Sequence, residues 1–125
     1  FIGGVLNYIT IDGDDVGHKI TSAYLRNNVD DLVAVNDLVQ DRTRKIAAYL
    51  KSQGFEIIFC AADGVAGATK LEFDAGYIYS QIKLISDGDL SFSAGVGKSL
   101  READVAPLSA KSSGKGKLQS FEGVR

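Results

Sequence analysis

The sequence predicts an α+β fold in which helices pack on a mostly antiparallel β-sheet. Long amphipathic segments have the spacing of helices, and shorter apolar or alternating segments have the composition of strands. An Asp-Gly turn between two of these strands favours a hairpin. The predicted order is strand, helix, hairpin, helix, strand, helix, strand, with no repeat or linker, so residues 1–125 are expected to form one domain.

The first half of the chain contains one strand and one long helix. β-Branched and aromatic residues alternate over 5–11, which is typical of a strand, and residues 16–26 are compatible with one short helix. Asn28 and Asp31 have the spacing of a helix N-terminus, and apolar residues then recur at helical spacing. This pattern predicts a helix from Val29 to Gln53, which ends before Gly54.

A hairpin and a second helix are predicted next. Residues 55–61 are mostly apolar, Ala62-Asp63-Gly64 forms a turn, and residues 65–68 resume the sheet. Thr69 and Glu72 have the spacing of a capping box, which predicts a helix from Thr69 to about Ser86. Its buried face is expected to contain Leu71, Ala75, Ile78, Ile82 and Ile85.

The last third of the chain is predicted to contain two strands and a helix. Residues 90–97 alternate as a strand does. Ser99 and Glu102 form a second capping box, which predicts a helix to about Ser112. Residues 118–121 can add a final edge strand.

Composition excludes several classes of protein. The net charge of −2 argues against a general nucleic-acid binder, and no apolar run is long enough to cross a bilayer or resembles a signal peptide. Cys60, the single cysteine, cannot form an internal disulfide, and its apolar neighbours predict a core strand position in a reducing cytoplasm. With only Cys60 and His18 available as soft ligands, a zinc site is improbable.

The charge is unevenly distributed along the chain. Residues 98–125 contain six basic and three acidic side chains, a net charge of +3, which leaves −5 for the remainder. An acidic cluster that binds cations, together with a basic tail, is what a magnesium–triphosphate ligand requires. The same distribution can also arise by accident.

The acidic residues are concentrated at the end of the first predicted strand. Asp12, Asp14 and Asp15 occupy three of four consecutive positions, between and beside glycines. Like charges this close repel one another and destabilise the fold, and a hard divalent cation such as Mg²⁺ relieves the repulsion. A solvated turn is the alternative, since Asp and Gly are common turn residues.

A second acidic position lies at the tip of the predicted hairpin. If the hairpin is adjacent to the first strand, the carboxylates of Asp12 and Asp63 and the carbonyl of Gly13 can hold one or two magnesium ions. Two such ions form the known clamp for in-line phosphoryl transfer. Asp14 and Asp15 are either further ligands or residues that shape the turn, and the backbone amides that follow can cradle phosphate oxygens.

One apparent phosphate-binding motif is rejected. Gly95-Val96-Gly97-Lys98-Ser99 resembles the end of a P-loop, but the pattern requires a glycine where Phe92 stands. The segment is better explained as a strand end followed by the N-cap of a helix.

Together these residues resemble the palm-type nucleotide cyclases, which include the GGDEF diguanylate cyclases and the palm of the type III CRISPR polymerase. The resemblance is closest to the minimal CRISPR polymerase (mCpol) group and spans Tyr8 to about Phe121. It is carried by Asp12-Gly13, by the hairpin Ala61–Gly64, by the strand Ser93–Val96, by Ala103-Asp104 and by Ala110–Lys115.

The resemblance implies a ferredoxin-like palm that makes a cyclic di- or oligonucleotide from nucleoside triphosphates, with ATP favoured and Mg²⁺ or Mn²⁺ as cofactor. It also implies an antiphage signalling role and a separate effector that senses the product. A ring of two nucleotides needs two triphosphates face to face, so we expect a homodimer. The charge and the hydropathy predict no membrane or stable nucleic-acid partner. It assigns metal binding to Asp12, Gly13 and Asp63. It assigns phosphate binding to Asp15, Val16, Gly17, Lys111 and Lys115.

Two other functions are considered. Gly64 stands where many relatives have a second hairpin acid, which favours a catalytically weakened palm that acts as a nucleotide sensor. A phosphoacceptor receiver domain also uses an acidic cluster, but its parallel β/α order does not fit the hairpin at Ala62-Asp63-Gly64.

Overall fold

The computed structural model describes residues 6–86, 88, 90–103 and 116–120. In this part of the chain, three helices pack on a five-stranded sheet. The elements in chain order are β1 (Asn7–Gly13), α1 (Val16–Leu25), α2 (Val29–Ser52), β2 (Glu56–Ala61), β3 (Gly64–Thr69), α3 (Ala75–Ser86), β4 (Phe92–Gly97) and β5 (Leu118–Ser120).

The sheet has the strand order β2-β3-β1-β4-β5, with β1 at its centre. β1 is antiparallel to both β3 and β4, β2 is antiparallel to β3, and β5 is parallel to β4. The prediction of an α+β fold with a mostly antiparallel sheet is therefore confirmed.

The central strand extends further toward its C-terminus than the sequence predicted. It was expected over 5–11, but it is paired through Asp12 and Gly13, which lie opposite Gly64 and Phe92. The alternation of β1 places Ile9, Ile11 and Gly13 in buried positions. The end of this strand therefore places Asp12 and Gly13 within the sheet instead of in a loop.

The core joins this strand to the two longest helices. Ile9 is fully buried, and it belongs to the same apolar cluster as Ile46 and Leu50 of α2 and Ile82 of α3. Burying such side chains supplies about 1.5–3 kcal/mol each. The position of β1 relative to α2 is therefore fixed by packing.

The long helix begins as predicted. The Asn28 side chain accepts a hydrogen bond from the backbone N–H of Asp31 at 2.9 Å. The helix ends at Ser52, and Gly54 follows with a φ of 93°, a left-handed conformation that favours glycine. Among the described helices, none combines the length and the apolar character needed to cross a bilayer.

The predicted start of the third helix is wrong. Thr69 is the last residue of β3, paired with Asn7, and its hydroxyl accepts from Leu71 N. The helix begins at Ala75, where the Asp74 carboxylate accepts from Tyr77 N at 3.1 Å. Threonine caps turns as readily as helices, and sheet pairing decides between them here, so Leu71 is exposed instead of buried.

The expectation that Cys60 is a core residue is also wrong. β2 lies at the edge of the sheet, and Cys60 is exposed. Phe59 is also exposed, and the register shifts between Ile57 and Phe59. Apolar composition predicts a strand but does not show whether both of its faces are covered.

Segment 100–103 packs on the face of the sheet that contains Thr10. The prediction that Ser99 caps the start of this segment is confirmed. Ser99 Oγ accepts from Glu102 N at 3.1 Å, and Thr10 Oγ1 of β1 donates to the carbonyl of Ala103. A Cβ at Gly97 would lie 2.6 Å from the Cβ of Glu102, so only glycine permits this contact. The rest of the predicted helix lies outside the described residues.

Tyr79 of α3 ties that helix to the first residue of β4. Its hydroxyl donates to the carbonyl of Phe92 at 2.7 Å. Burial, and to a smaller degree the charge of Asp14, raise the pKa of Tyr79 to about 12. The folded protein therefore retains a proton that the unfolded chain loses near pH 10.

We predict that this tyrosine makes folding sensitive to alkali. Its contribution is complete below about pH 10 and is lost as pH rises toward 12, because ionisation favours the unfolded chain over that range. Tyr79→Phe should lower stability by about 1 kcal/mol at pH 8 and reduce the loss above pH 10. Urea unfolding at pH 8 to 11.5 measures both effects. Tyr24→Phe, at an exposed position, is the control and should follow the unmodified protein.

Candidate functional site

The end of β1 and the turn between β2 and β3 meet directly. Gly13 N donates to the carbonyl of Asp63 at 3.0 Å, and Asp12 is paired with Gly64. Ala62 adopts a φ of 50°, which turns the hairpin at this point. The structure thus brings Asp12, Gly13 and Asp63 to one place, although they are about fifty residues apart in sequence.

The Asp63 side chain lies against the Cα of Gly13. A Cβ added at Gly13 would lie 3.0 Å from the Cβ of Asp63, 3.2 Å from its Oδ2 and 2.9 Å from Cγ2 of Val16. These approaches are too close for an ordinary side chain. Glycine at position 13 therefore leaves room for the Asp63 carboxylate beside the strand end.

Asp14 is turned in a different direction from its neighbours. It is 3% exposed. Its Oδ1 accepts from Ser93 Oγ at 2.8 Å, and its Oδ2 accepts from Ser91 Oγ at 2.7 Å and from Gly116 N at 2.8 Å. These bonds fasten the turn after β1 to the start of β4 and to Gly116, two residues before β5.

Asp15 shapes the start of α1. It has a φ of 60° and occupies the N-cap position, and its carbonyl accepts from Lys19 N at 3.1 Å. The first N–H groups of a helix have no partner within the helix, so the backbone of Val16 and Gly17 presents donors at this end. A Cβ at Gly17 would meet nothing within 4 Å, which shows open space there.

A cavity of about 300 Å³ lies between α1, α2 and the β2–β3 turn. Asp63 lines one part of it, and Val16 and Ile20 of α1 supply apolar surface. Asn36, Gln40 and Arg44 of α2 form a polar row along another wall. Gln40 Nε2 donates to Asn36 Oδ1, and Arg44 Nη2 donates to Gln40 Oε1, both at 3.2 Å.

A second cavity, of about 370 Å³, lies on the other side of α1. It is lined by Asp14, Asp15, Lys19, Tyr79 and Lys83, among others. It is the larger of the two, but Asp12, Gly13 and Asp63 do not line it. The cavity that contains Asp63 is therefore the better candidate for a site that acts on a ligand.

The polar row on α2 was missed by the sequence analysis. Asn36, Gln40 and Arg44 recur every four residues, a spacing that places them on one face of a helix. That spacing is a signal in the sequence, but a solvated helix face has the same pattern. Only the position of α1 and of the hairpin shows that this face borders a cavity.

The two predicted phosphate-binding lysines, Lys111 and Lys115, lie outside the described residues. Gly116, the chain neighbour of Lys115, is hydrogen-bonded to Asp14. His18 lies exposed in the first turn of α1. The phosphate-binding roles predicted for Lys111 and Lys115, and the metal-binding role considered for Asp14, stay predictions.

The donors at the strand end fit a hard cation. Within the described ranges no three His, Cys, Asp or Glu side chains are grouped as a metal site. The candidate donors are two carboxylates, from Asp12 and Asp63, and the Gly13 carbonyl. All are oxygen donors, and Mg²⁺ commonly binds through one or two carboxylates together with substrate phosphates and water. The residues present fit such an ion.

Comparison with known proteins gives one family and one fold. The family model of the minimal CRISPR polymerase domain matches residues 8–121. No curated protein matches the chain.

Among solved structures, the chain resembles the active GGEEF domain of a diguanylate cyclase from Vibrio cholerae, with 12% identity, a TM-score of 0.66, and coverage of 94% of this chain and 83% of that chain. It also resembles the GGDEF domain of a Pseudomonas aeruginosa protein, with 17% identity, a TM-score of 0.67, and coverage of 94% and 82%.

A third similar structure is the Csm1–Csm4 cassette in complex with cA3. The identity is 16% and the TM-score 0.69, over 91% of this chain but 20% of that chain, so this chain spans about a fifth of its length. At such identities the likeness shows the fold alone, and it confirms the predicted palm.

We predict that the buried and the exposed acid of the β1–α1 turn differ sharply in their effect on stability. Asp14→Ala removes the acceptor of three donors, among them the fully buried Ser93 hydroxyl, and should cost about 3 kcal/mol. Asp15→Gly removes a carboxylate at a left-handed position that suits glycine, and should cost less than about 1 kcal/mol. Urea unfolding measures both. Equal losses would contradict the structural role given to Asp14.

Proposed function

Because the chain belongs to the minimal CRISPR polymerase family, we propose that it is a metal-dependent nucleotidyltransferase that makes a cyclic di- or oligonucleotide. Its fold is that of the palm-type nucleotide cyclases. In the proposed reaction, a ribose hydroxyl of one nucleoside triphosphate attacks the α-phosphate of another. A phosphodiester bond forms and pyrophosphate leaves.

The contact between Asp63 and Gly13 carries this proposal. It brings the acid of the β2–β3 turn to the end of β1, where Asp12 lies, beside a cavity large enough for a small ligand. We assign metal binding to the carboxylates of Asp12 and Asp63 and to the carbonyl of Gly13. Bound Mg²⁺ or Mn²⁺ would activate the attacking hydroxyl and neutralise charge on the leaving pyrophosphate.

The chain's own groups are assigned to positioning the nucleotide. The cavity between α1, α2 and the hairpin holds the nucleoside, with apolar contacts from Val16 and Ile20. The backbone after Asp15, at Val16 and Gly17, holds phosphate oxygens at the N-terminus of α1. Lys111 and Lys115 are proposed to bind the β- and γ-phosphates as point charges. They are assigned from the family pattern, because they lie outside the described residues.

Asp14 is assigned a positioning role behind this site. Three hydrogen bonds to its carboxylate hold the turn that connects Asp12 and Gly13 to α1. The earlier expectation that Asp14 ligates metal would require it to exchange some of these bonds. We therefore place it behind the site instead of in it.

ATP is the favoured substrate. Structures similar to this chain include Csm1–Csm4 cassettes in complex with AMPPNP and with pppApApA, both adenine nucleotides. The proposed cyclic product is expected to act as a signal for a separate effector protein in antiphage defence, as membership in the family suggests.

A homodimer is proposed because a ring of two nucleotides requires two bound triphosphates to face each other. Tyr24, Leu25, Val29 and Val33 are apolar and exposed, with Leu25 82% exposed. They lie at the far end of α1 and the start of α2, the two helices that border the cavity. A second copy of the chain could cover these side chains.

A nucleotide sensor is the second candidate. Gly64 stands in place of a second hairpin acid, and the described residues hold no group of three acidic or soft ligands. A Cβ at Gly64 would make only ordinary contacts of 3.6–3.8 Å, so packing does not require glycine there. A sensor would be stabilised by nucleotide but would release no pyrophosphate.

We predict that incubation with the four ribonucleoside triphosphates and Mg²⁺ or Mn²⁺ yields a cyclic product and pyrophosphate. Asp12→Asn and Asp63→Asn should each reduce the rate by about 100-fold or more, because each removes a metal ligand. Mass spectrometry identifies the product. Asp37→Asn, at an exposed acid of α2, is the control and should retain activity.

The same assay separates the alternatives. Thermal stabilisation by triphosphate without pyrophosphate release would favour the sensor. If two chains cooperate, the rate per chain should rise with protein concentration. A rate independent of concentration across the whole range would contradict assembly during catalysis.

A glycine pair gives a second test of the site. Gly13→Ala introduces a Cβ within 3.2 Å of Asp63 Oδ2 and should displace that carboxylate, with a loss of about tenfold or more in rate. Gly76→Ala, in α3 and away from the site, adds the same methyl group where it meets only Asp74 Oδ1 at 3.4 Å, and it should stabilise α3 by up to about 1 kcal/mol. The rate of pyrophosphate release and the affinity for Mn²⁺ are the measurements. Equal activity of both variants would contradict the placement of Asp63.

A further inference from the structure

Thr43 is a buried residue of α2 whose hydroxyl is unsatisfied. The residue is 2% exposed, and its Oγ1 has no hydrogen-bond partner among the described residues. A threonine in a helix usually bonds the carbonyl one turn earlier. Thr43 lies in the middle of α2, where the carbonyl one turn earlier is present, but its hydroxyl does not make this bond.

A buried hydroxyl without a partner destabilises the folded protein. Native structures rarely retain such groups unless a water molecule, an ion or a ligand supplies the bond. Replacing the hydroxyl by a methyl group of similar size would remove the unsatisfied atom without opening a space. The presence of threonine instead of valine therefore has a stability cost that folding alone does not explain.

Thr43 lines the cavity between α1, α2 and the β2–β3 turn. Its neighbours on that wall are Val39, buried and apolar, and the polar side chains of Gln40 and Arg44. In a helix, threonine divides between two χ1 rotamers that differ in the direction of the hydroxyl. The Thr43 hydroxyl can therefore turn toward a ligand in the cavity and form a hydrogen bond with it, because the change of rotamer costs little free energy.

The chemistry of the wall favours an uncharged part of a ligand. Asp63 places a carboxylate at one part of the cavity, and Val16, Ile20 and Val39 supply apolar surface. Phosphate groups gain little from this apolar surface, and the proposed function places them at the metal and at the N-terminus of α1. A flat heterocycle with donor and acceptor atoms at its edge gains from both the apolar surface and a neutral hydroxyl.

We propose that Thr43 is a specificity-determining residue that hydrogen-bonds the edge of the nucleobase held in this cavity. The inference rests on the proposed function insofar as the ligand is a nucleoside triphosphate. It goes beyond that function because it names the group that reads the base. A site that hydrogen-bonds its ligand discriminates more strongly than one that relies on shape, since the wrong ligand leaves a buried group unpaired.

The experiment compares Thr43→Val with Thr43→Ser in the full chain. The probes are the α,β-methylene analogues of ATP, GTP, CTP and UTP, in which the bond that the reaction breaks is blocked, and inorganic triphosphate. Calorimetric titration with Mg²⁺ gives each affinity. Urea unfolding without ligand gives the stability of each variant.

Two opposite effects are expected from Thr43→Val. The ligand-free protein should be as stable as the unmodified one or more stable, because the unsatisfied hydroxyl is gone. Affinity for the preferred analogue should fall about tenfold, and the preference among the four bases should narrow. Thr43→Ser retains the hydroxyl and should stay within about threefold. Inorganic triphosphate, which lacks a base, should bind all three proteins equally.

Several results would overturn the inference. One is a Thr43→Val protein that keeps the affinity and preference of the unmodified chain. Another is a loss of affinity for inorganic triphosphate as large as that for the analogues, which would indicate general damage. A less stable Thr43→Val protein would show that the hydroxyl is bonded in the free state.

The outcome for the reaction is separable from this test. In one outcome the analogues bind and Thr43→Val alters the base preference, but no cyclic product forms. The base-reading role then stands and the proposed reaction fails. If cyclic product forms but Thr43→Val leaves the base preference unchanged, the proposed reaction stands and this inference fails. An unmodified chain that binds none of the four analogues overturns both.

Discussion

The pairing of β1 through its last two residues is the constraint on which the site depends. Asp12 and Gly13 lie in the sheet because β3 pairs with the strand on one side and β4 on the other. The bond from Gly13 N to the Asp63 carbonyl continues that pairing into the hairpin turn. Backbone hydrogen bonds in a central strand are among the least mobile parts of a fold. The Asp12 carboxylate is therefore positioned by the sheet, and the Asp63 carboxylate by a short turn that is hydrogen-bonded to the sheet.

The three acids at this strand end, Asp12, Asp14 and Asp15, have different structural roles. Asp12 lies at the meeting of β1 with the hairpin, Asp14 is buried among donors from β4 and Gly116, and Asp15 sets the left-handed turn into α1. The repulsion among them is reduced because the central carboxylate is fully hydrogen-bonded in the other direction. The same bonds connect the site to the segment that precedes β5.

The sequence predicted the parts of this arrangement that depend on local pattern. Asn28 begins α2, the turn at Asp63 forms a hairpin, and Ser99 caps the segment 100–103. It failed where tertiary pairing overrides a local preference: Thr69 stays in β3, and an apolar β2 leaves Cys60 exposed at the sheet edge. Propensity describes what a segment can form, but its neighbours decide which face is covered.

The same division holds for the candidate site. Asp12, Gly13 and Asp63 could be singled out because strand ends and hairpin tips can be read from sequence. The cavity wall on α2 could not, since Gln40 and Arg44 have the spacing of any solvated face and Thr43 has that of a core residue. Their meaning depends on how α1 packs against α2, a contact that no short sequence pattern encodes.

The most direct test of the central claim is to locate the metal. Crystals of the chain grown with Mn²⁺ and an α,β-methylene triphosphate give an anomalous signal from manganese at each occupied site. The account predicts a peak about 2.1 Å from oxygens of Asp12, Asp63 and the Gly13 carbonyl, beside the phosphates. Manganese and phosphates bound away from the junction of β1 with the β2–β3 turn would contradict it.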